Sequence, residues 1–184
     1  MRRLIPLLGA AVVAAIQVAC SAADSGSLAP PTAPDLARAA DARRFEIHDA
    51  CDPATFDAVL GEGACVRAGG MKFDQFIDQL TKHQSVGAWS FSPPNRDIRL
   101  GQSFVALNQG GEAHTFTEVE EFGGGRVPLL NALSGNPVEA EECKQAEDIP
   151  PGGRFDDTPD EAGVEKYQCC IHPWMRATVT VRGS

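Results

Sequence analysis

Long apolar runs, basic residues and histidines are all scarce in this sequence of 184 residues. Its one strongly apolar run, residues 4–18, is shorter than the roughly 20 residues that a membrane-spanning helix needs. Sixteen basic residues stand against 25 acidic ones, and the formal net charge of −9 is wrong for binding nucleic acid or anionic membranes and favours a basic partner. The histidines are His48, His83, His114 and His172. Any site built from imidazoles must therefore be small.

The first twenty residues have the pattern of a cleaved export signal. Two arginines precede the apolar run, and small residues follow it. Residues 18–21, Val-Ala-Cys-Ser, also resemble a bacterial lipoprotein cleavage box, in which Cys20 becomes the lipidated first residue. We therefore expect residues 1–20 to direct export to the bacterial periplasm. Two hypotheses stay open: a plain periplasmic protein, and one that meets the membrane only through a lipid anchor at Cys20.

Residues 21–43 are rich in serine, alanine and proline and show no apolar period. They are expected to form a flexible tether. About 140 residues follow the tether, which is the size of one ordinary domain.

Two short helices are predicted at the start of that domain. Asp52 is a suitable N-cap, Pro53 suits the first helical position, and Gly61 suits the end of a helix. Residues 72–83 carry apolar side chains at helical spacing on one face and charged ones on the other. We expect residues 44–83 to be a helical extension that packs on the rest of the domain and covers one end or face of its sheet.

From residue 88 the sequence changes to short alternating runs rich in β-forming residues, separated by proline and glycine turns. That pattern is typical of an all-β sandwich. Residues 122–150 interrupt it as a long loop insertion. The triple glycine at 123–125 lacks the Lys-Ser/Thr of a phosphate-binding loop and is expected to be a flexible bend.

The stretch that organises the chain is Tyr167-Gln168-Cys169-Cys170-Ile171-His172-Pro173-Trp174-Met175-Arg176. A thiol, an imidazole and a thioether stand at positions i, i+3 and i+6 of one short turn. Zinc sites favour pairs of cysteine and histidine and rarely recruit methionine, whereas one cysteine, two histidines and a weak axial methionine are typical of blue-copper sites. The spacing therefore predicts three of four copper ligands, Cys169, His172 and Met175.

The fourth ligand should be a histidine from elsewhere in the fold. His114 follows an apolar run and a Gly-Gly turn, where a strand begins or ends, and it is the best candidate. His48 precedes the first predicted helix and His83 ends the second, and both are expected at the surface. An ordinary strand end whose Cys, His and Met merely pack is the alternative interpretation, but so many ligand types at this spacing are hard to reach by chance.

The run Tyr-x-Cys-x-x-His-Pro-x-Met-Arg, followed by the alternating residues 177–181, resembles the closing strand, ligand loop and last strand of the cupredoxins. It is most similar to the short-loop amicyanin and pseudoazurin type. Asn108, followed six residues later by His114, resembles the upstream ligand strand of that family. The resemblance implies an all-β, Greek-key β-sandwich of the cupredoxin type at residues 84–184, with short N-terminal helices and a long loop insertion.

The same resemblance implies one copper ion per chain and a role for each ligand. His114 would be the buried imidazole, His172 would expose its ring edge to solvent as the electron port, and Met175 would act weakly from the axial side. Asn108 and Thr115 are expected to support the ligands from behind through hydrogen bonds.

Two neighbouring sulfurs compete for the role of thiolate ligand. If Cys170 were the ligand, one residue alone would separate it from His172, and the Tyr-x-Cys phase of the strand would be lost. Neighbouring residues on a strand point to opposite faces, so the choice matters. Cys169 is therefore expected to bind the metal.

Four cysteines remain if Cys20 is lipidated or removed with the signal, an even number that suits two disulfides in an oxidising compartment. Four cysteines allow three pairings. We favour Cys51 with Cys65 and Cys143 with Cys170, because the second pair would clamp the insertion to the copper turn. Free buried thiols are the alternative.

These features predict a mononuclear type 1 (blue) copper protein that carries single electrons in the periplasm or at the outer cell surface. Its redox partner would have a basic docking surface, as a c-type cytochrome does. The alternative is a copper-binding protein for sequestration or delivery, since the same soft ligands bind Cu(I). Catalysis of the multicopper oxidase or nitrite reductase type needs further histidine ligands, so we do not expect an enzyme.

Overall fold

A computed structural model describes residues 43–183 of the chain. The expected export signal with Cys20, and the expected tether up to residue 42, lie outside the described residues. The strands are β1 Arg44–His48, β2 Ser90–Ser92, β3 Asn95–Arg99, β4 Phe104–Asn108, β5 Thr117–Val119, β6 Arg154–Asp157, β7 Gly163–Gln168 and β8 Arg176–Arg182. The helices are α1 Pro53–Leu60, α2 Phe73–His83 and α3 Pro128–Leu133, with a 3-10 helix at Glu141–Gln145. Within residues 43–183, no helix has the length and apolar character to cross a membrane.

The strands form two four-stranded sheets. The first has the order β2-β1-β4-β6 and the second the order β3-β8-β7-β5. β1 runs parallel to β4 and β3 runs parallel to β8, while the other neighbouring strands are antiparallel. The predicted all-β sandwich is confirmed, and both of its sheets are mixed.

Aromatic side chains form the centre of the core. The ring of Phe45 on β1 lies 5.1 Å from that of Phe116, which stacks on Tyr167 of β7 at 4.8 Å. All three are at most 2% exposed, and burying one such side chain stabilises the fold by roughly 1.5–3 kcal/mol. Buried residues alternate along β1, β4 and β8. The register of these strands is therefore well specified, because a slip of one residue would turn every apolar side chain outward.

Both predicted helices are present. The Asp52 carboxylate accepts the N–H of Thr55 at 3.0 Å at the start of α1, and Gly61 follows its last turn with a φ of 108°. Phe76 of α2 is buried, as the apolar stripe of that helix predicts. Its ring lies 4.7 Å from that of Trp89, so α2 covers part of the sandwich as expected.

The helical interpretation of residues 44–83 is wrong at its start. Residues 44–48 form β1, which lies in the middle of the first sheet between β2 and β4. This strand buries two apolar side chains, Phe45 and Ile47, which are too few to give a clear alternating signal. β6 is a second strand that the pattern does not indicate, because three of its four residues are charged.

The insertion at residues 122–150 is fastened to the rest of the domain by a disulfide. Both favoured disulfides are present, Cys51 with Cys65 and Cys143 with Cys170. The second joins the 3-10 helix of the insertion to the residue that follows Cys169. The long loop is thus fastened to the turn after β7, where the sequence motif lies.

The triple glycine packs closely, and the prediction of a flexible bend is wrong. A Cβ atom on Gly125 would overlap the carbonyl group of Cys170, and one on Gly124 would overlap the carbonyl oxygen of Asn136. The N–H of Arg126 also donates to the Cys170 carbonyl at 2.7 Å. Glycine is needed here because the insertion runs backbone against backbone along the motif turn.

Candidate metal centre

The turn after β7 carries three of the four predicted ligands. The N–H of Cys169 donates to the Met175 carbonyl at 3.0 Å, and the N–H of Met175 donates to the His172 carbonyl at 2.9 Å. These hydrogen bonds close the turn on itself. As a result the side chains of Cys169 and His172 meet although three residues separate them.

His114 reaches this turn from the segment between β4 and β5. Its N–H donates to the Ile149 carbonyl at 3.1 Å, and the N–H of Ile149 donates to the His114 carbonyl at 2.7 Å. Strand β5 begins only at Thr117, three residues after His114. The insertion, through Ile149, pairs with His114 instead and fixes its backbone.

The three strong donors surround a gap of metal size. Cys169 Sγ lies 3.7 Å from His114 Nδ1 and 3.8 Å from His172 Nδ1. All three donor atoms lie within 4.8 Å of one another. Zinc makes bonds of about 2.3 Å to sulfur and about 2.05 Å to nitrogen. If one ion bound a sulfur and a nitrogen at these lengths with an angle of about 120° between the bonds, the sulfur and the nitrogen would lie about 3.8 Å apart. The donor set therefore fits one metal ion in a trigonal arrangement.

Met175, the predicted axial ligand, belongs to the same turn and is 1% exposed. Its backbone N–H and carbonyl both take part in the hydrogen bonds that close the turn. The structure buries all four predicted ligands, since His114 and Cys169 are 0% exposed and His172 is 3% exposed. The sequence spacing and the fold therefore place them in one water-poor region.

The two neighbouring cysteines have different chemical states. Cys170 is bonded to Cys143, whereas Cys169 is a free, buried thiol. Burial alone would raise the pKa of the Cys169 thiol, but hydrogen bonds and positive charge from His114 and His172 hold that pKa well below its usual range. The two imidazoles therefore favour the thiolate form of Cys169, which is the form that binds metals.

Thr115 ties the two ligand segments together. Its N–H donates to Cys169 Sγ at 3.4 Å, and its hydroxyl accepts the N–H of Cys170 at 2.8 Å. Asn108 holds the loop that leads to His114, because its side-chain amide donates to the carbonyls of Glu112 and Ile149, both at 2.8 Å. Both residues thus support the site through hydrogen bonds, as expected.

Asp49 is a site residue that the sequence pattern does not indicate. It follows β1, and its Oδ2 lies 2.9 Å from Nε2 of His114, which is 65 positions away in the chain. The same oxygen accepts the N–H groups of Gly111 and Glu112 at 2.8 and 3.0 Å. Burial would raise the pKa of Asp49, but these hydrogen bonds outweigh it and lower the pKa to about 2.

The charge on Asp49 decides which ring nitrogen of His114 keeps a proton. An ionised carboxylate beside Nε2 keeps a proton on that nitrogen, so that Nδ1 is the nitrogen facing Cys169. In the metal-free protein burial would lower the pKa of His114, but hydrogen bonds to Asp49 and Cys169 outweigh this effect and raise the pKa to about 9. A metal ion would therefore displace the proton on Nδ1.

Glu112 is the second buried carboxylate that the sequence does not indicate. The Trp89 indole N–H donates to its Oε2 at 2.6 Å, and the same oxygen lies 3.8 Å from Nε2 of His172. Burial raises the pKa of Glu112, and the nearby His172 and the Trp89 hydrogen bond partly offset that rise. Each predicted imidazole ligand thus has a carboxylate behind its outer nitrogen.

The implied exposure of His172 is wrong. Its side chain is 3% exposed, and its ring is surrounded by Trp174, Phe76 and Trp89 at centroid distances of 5.4, 6.3 and 6.5 Å. We call these three rings the aromatic cap. Phe76 comes from α2, in the part of the chain upstream of the family-like motifs, which explains why the motifs alone could not predict the covering.

The other two histidines lie away from this centre. His83 is exposed at the end of α2, and the partly exposed His48 pairs with Glu46 at 3.3 Å. Both positions agree with the surface location expected from the sequence.

Solved structures of cupredoxins are similar to this chain. A purple cupredoxin from Nitrosopumilus maritimus is 26% identical, with 53% of this chain and 86% of that chain covered and a TM-score of 0.40. A Cu(I) form of an amicyanin variant is 18% identical (50% and 73% covered, TM-score 0.37), and a reduced amicyanin variant is 19% identical (53% and 78% covered, TM-score 0.38). No family model and no curated protein matches the sequence. The description of the fold therefore rests on the two four-stranded sheets of this chain, and what the centre does depends on its own residues.

Proposed function

We propose that this protein binds one copper ion through His114, Cys169, His172 and Met175 and works as a type 1 copper protein that carries single electrons. The observation that carries the proposal is the buried, free sulfur of Cys169 with one imidazole nitrogen at 3.7 Å and a second at 3.8 Å. Copper held by such a set, with a thioether nearby, supplies a one-electron couple.

The surrounding residues suit that role because they hold the ligands still. Thr115 fixes the sulfur, Asp49 fixes His114, and the hydrogen bonds of the turn fix the backbone of Cys169 and Met175. A site held in one geometry for both oxidation states rearranges little during transfer. The rigid sandwich therefore contributes directly to fast electron exchange.

The remaining histidines argue against a catalytic copper cluster. His48 and His83 lie at the surface, away from the predicted ligands. Multicopper catalysis would need further buried imidazoles, so we propose a carrier and not an enzyme.

Sequestration or delivery of copper is the second candidate, and the aromatic cap favours it. A carrier gains from a ligand edge at the surface, whereas a storage site gains from a covered one. Because His172 is buried under the cap, electrons would have to cross the aromatic rings or leave by another route. A protein that only holds Cu(I) would tolerate such a cover without cost.

The proposed setting is the periplasm or outer cell surface, with a redox partner that presents basic residues. Two disulfides suit an oxidising compartment. The surface around β5 is crowded with carboxylates: partial burial and the charges of Asp157, Asp160 and Glu142 raise the pKa of Glu118. Such a surface attracts cationic proteins and speeds their association at low ionic strength.

Optical and EPR spectra of the copper-loaded protein test the proposal. An intense red-visible band that disappears on reduction and returns on oxidation is expected, and it should be lost in Cys169→Ser, His114→Ala and His172→Ala. His48→Ala and His83→Ala are the matched controls and should keep it. A colourless protein that holds Cu(I) without reversible oxidation would favour sequestration, and a Cys169→Ser variant that keeps the band would overturn the proposed ligand set.

A further inference from the structure

Both predicted imidazole ligands are backed by a buried carboxylate that comes from outside the ligand turn. Oδ2 of Asp49 lies 2.9 Å from Nε2 of His114, and Oε2 of Glu112 lies 3.8 Å from Nε2 of His172. The Asp49 side chain is 1% exposed and the Glu112 side chain 9% exposed. Two carboxyl groups therefore lie in the low-dielectric surroundings of a site that would hold a cation.

Fixed donors hold Asp49 in this position. Besides His114, its carboxylate accepts the N–H of Gly111 at 2.8 Å and of Glu112 at 3.0 Å. These donors belong to the backbone, so a movement of the carboxylate away from the imidazole would break several hydrogen bonds. These N–H donors, together with the ring N–H of His114, favour the ionised carboxylate at this position.

Glu112 is held by a different device. The Trp89 N–H donates to Oε2 at 2.6 Å, and this contact leaves the carboxylate close to His172 but beyond ordinary hydrogen-bond distance. Its influence on the ring is therefore mainly that of charge, whereas Asp49 also shares a hydrogen bond with its imidazole.

Resting on the proposed copper-binding function, we propose that Asp49 and Glu112 are positioning residues that act through His114 and His172 and favour Cu(II) over Cu(I). The oxidised site carries one more positive charge than the reduced site. A carboxylate behind each ring stabilises that extra charge, and the burial of both groups limits screening by solvent and salt. A hydrogen-bonded carboxylate also makes the imidazole a stronger donor to the metal.

A purely structural role would be met equally well by neutral side chains. Asparagine at 49 and glutamine at 112 keep the size and one acceptor oxygen for the backbone and Trp89 donors, while they lose the charge and replace the second oxygen with an NH2 group. The reduction potential separates the two roles, because it responds to charge beside the ligands and not to stability as such.

The test is the reduction potential of the copper-loaded full-length protein in mildly alkaline buffer for the wild type, Asp49→Asn and Glu112→Gln. Asp57→Asn is the matched control: Asp57 also accepts backbone N–H groups, from Gly63 and Cys65, but lies on α1 away from the ligands. We expect the ratio of Cu(II) to Cu(I) affinity to fall on the order of tenfold in Asp49→Asn. At about 59 mV per tenfold for one electron, that fall raises the potential by about 60 mV.

The remaining outcomes are also decisive. Glu112→Gln should shift the potential in the same direction by less, because its carboxylate lies farther from the ring, and Asp57→Asn should not shift it. If Asp49→Asn does not fold, as judged by circular dichroism, Glu112→Gln decides alone. If the reduction potentials of Asp49→Asn and Glu112→Gln equal that of Asp57→Asn, this inference is overturned. The proposed function still stands in that case if the copper-loaded wild type is blue. A wild type without a reversible copper signal overturns the proposed function itself.

Discussion

The hydroxyl of Thr115 accepts the backbone N–H of Cys170 at 2.8 Å, inside the core and across 55 positions of sequence. The N–H of Thr115 also donates to the sulfur of Cys169 at 3.4 Å. One residue thus joins the segment that carries His114 to the turn that carries the other predicted ligands. The geometry of the metal centre depends on this contact between two parts of the chain that are distant in sequence.

Replacing Thr115 with valine should destabilise the protein by about 1–3 kcal/mol, because the N–H of Cys170 is left buried without its acceptor. Urea unfolding followed by circular dichroism measures the change. Thr115→Ser keeps the hydroxyl and should recover most of the loss. Equal midpoints for Thr115→Val and the wild type would show that this hydrogen bond does not hold the turn.

Replacing Gly125 with alanine should disturb the metal centre by displacing the backbone next to the ligand turn. The added methyl group would overlap the Cys170 carbonyl, so either the insertion or the ligand turn must move. Such overpacking costs typically about 1–3 kcal/mol, and we expect a shifted copper absorption band as well. Gly163→Ala is the matched control, because its Cβ would meet no atom within 4 Å. The prediction fails if both variants behave alike in unfolding and in absorption.

Removing the ring of Phe76 should open the aromatic cap over His172. Phe76→Ala and Phe91→Ala each delete a buried phenylalanine and should cost about 3–5 kcal/mol. The ring of Phe76 faces His172, whereas that of Phe91 packs on Phe116 at 4.7 Å. We therefore expect faster reaction with small external reductants and faster copper loss to a chelator in Phe76→Ala alone. Equal rates in the two variants would mean that the cap does not control access.

Copper binding should release a proton from His114 at neutral pH. Asp49 and Cys169 overcome the effect of burial and raise the pKa of His114 to about 9 in the metal-free protein. Below that pH the proton on Nδ1 competes with the metal, so the apparent affinity should increase as pH rises and level off above about 9. Titration calorimetry in buffers of different ionisation enthalpy measures the released proton. A pH-independent affinity between neutrality and pH 9 would contradict the protonated state of His114.

Loss of either disulfide should destabilise the fold, but only loss of the Cys143–Cys170 disulfide should also change the copper centre. Cys51 and Cys65 are 14 positions apart and Cys143 and Cys170 are 27 apart, so the chain-entropy model gives about 3 kcal/mol for the first and somewhat more for the second. The double variant Cys143→Ser, Cys170→Ser should also alter the copper spectrum, because Cys170 is the next residue in the chain after the ligand Cys169. Cys51→Ser with Cys65→Ser is the control, compared by urea unfolding and by absorption.

Local signals in the sequence determined several of the helices and strands and the candidate ligands. The cap and stop residues around α1, the apolar stripe of α2 and the alternation of β4 and β8 each act within a few residues. The i, i+3, i+6 spacing of Cys169, His172 and Met175 is equally local, and it indicated copper chemistry before any contact was known. Cysteine arithmetic together with these ligands also pointed to the pairs that the fold joins.

The tertiary structure alone decided what surrounds the centre. The sequence pattern does not indicate β1, which has two apolar side chains, or β6, which has one, because so few give no clear period. Hydrogen bonds to the neighbouring strand β4 make both segments strands. Asp49, Glu112 and the aromatic cap reach the imidazoles from segments distant in sequence, and no local pattern encodes such contacts. Spacing along the chain can indicate which atoms bind a metal, but the charge and solvent around those atoms depend on packing between distant segments.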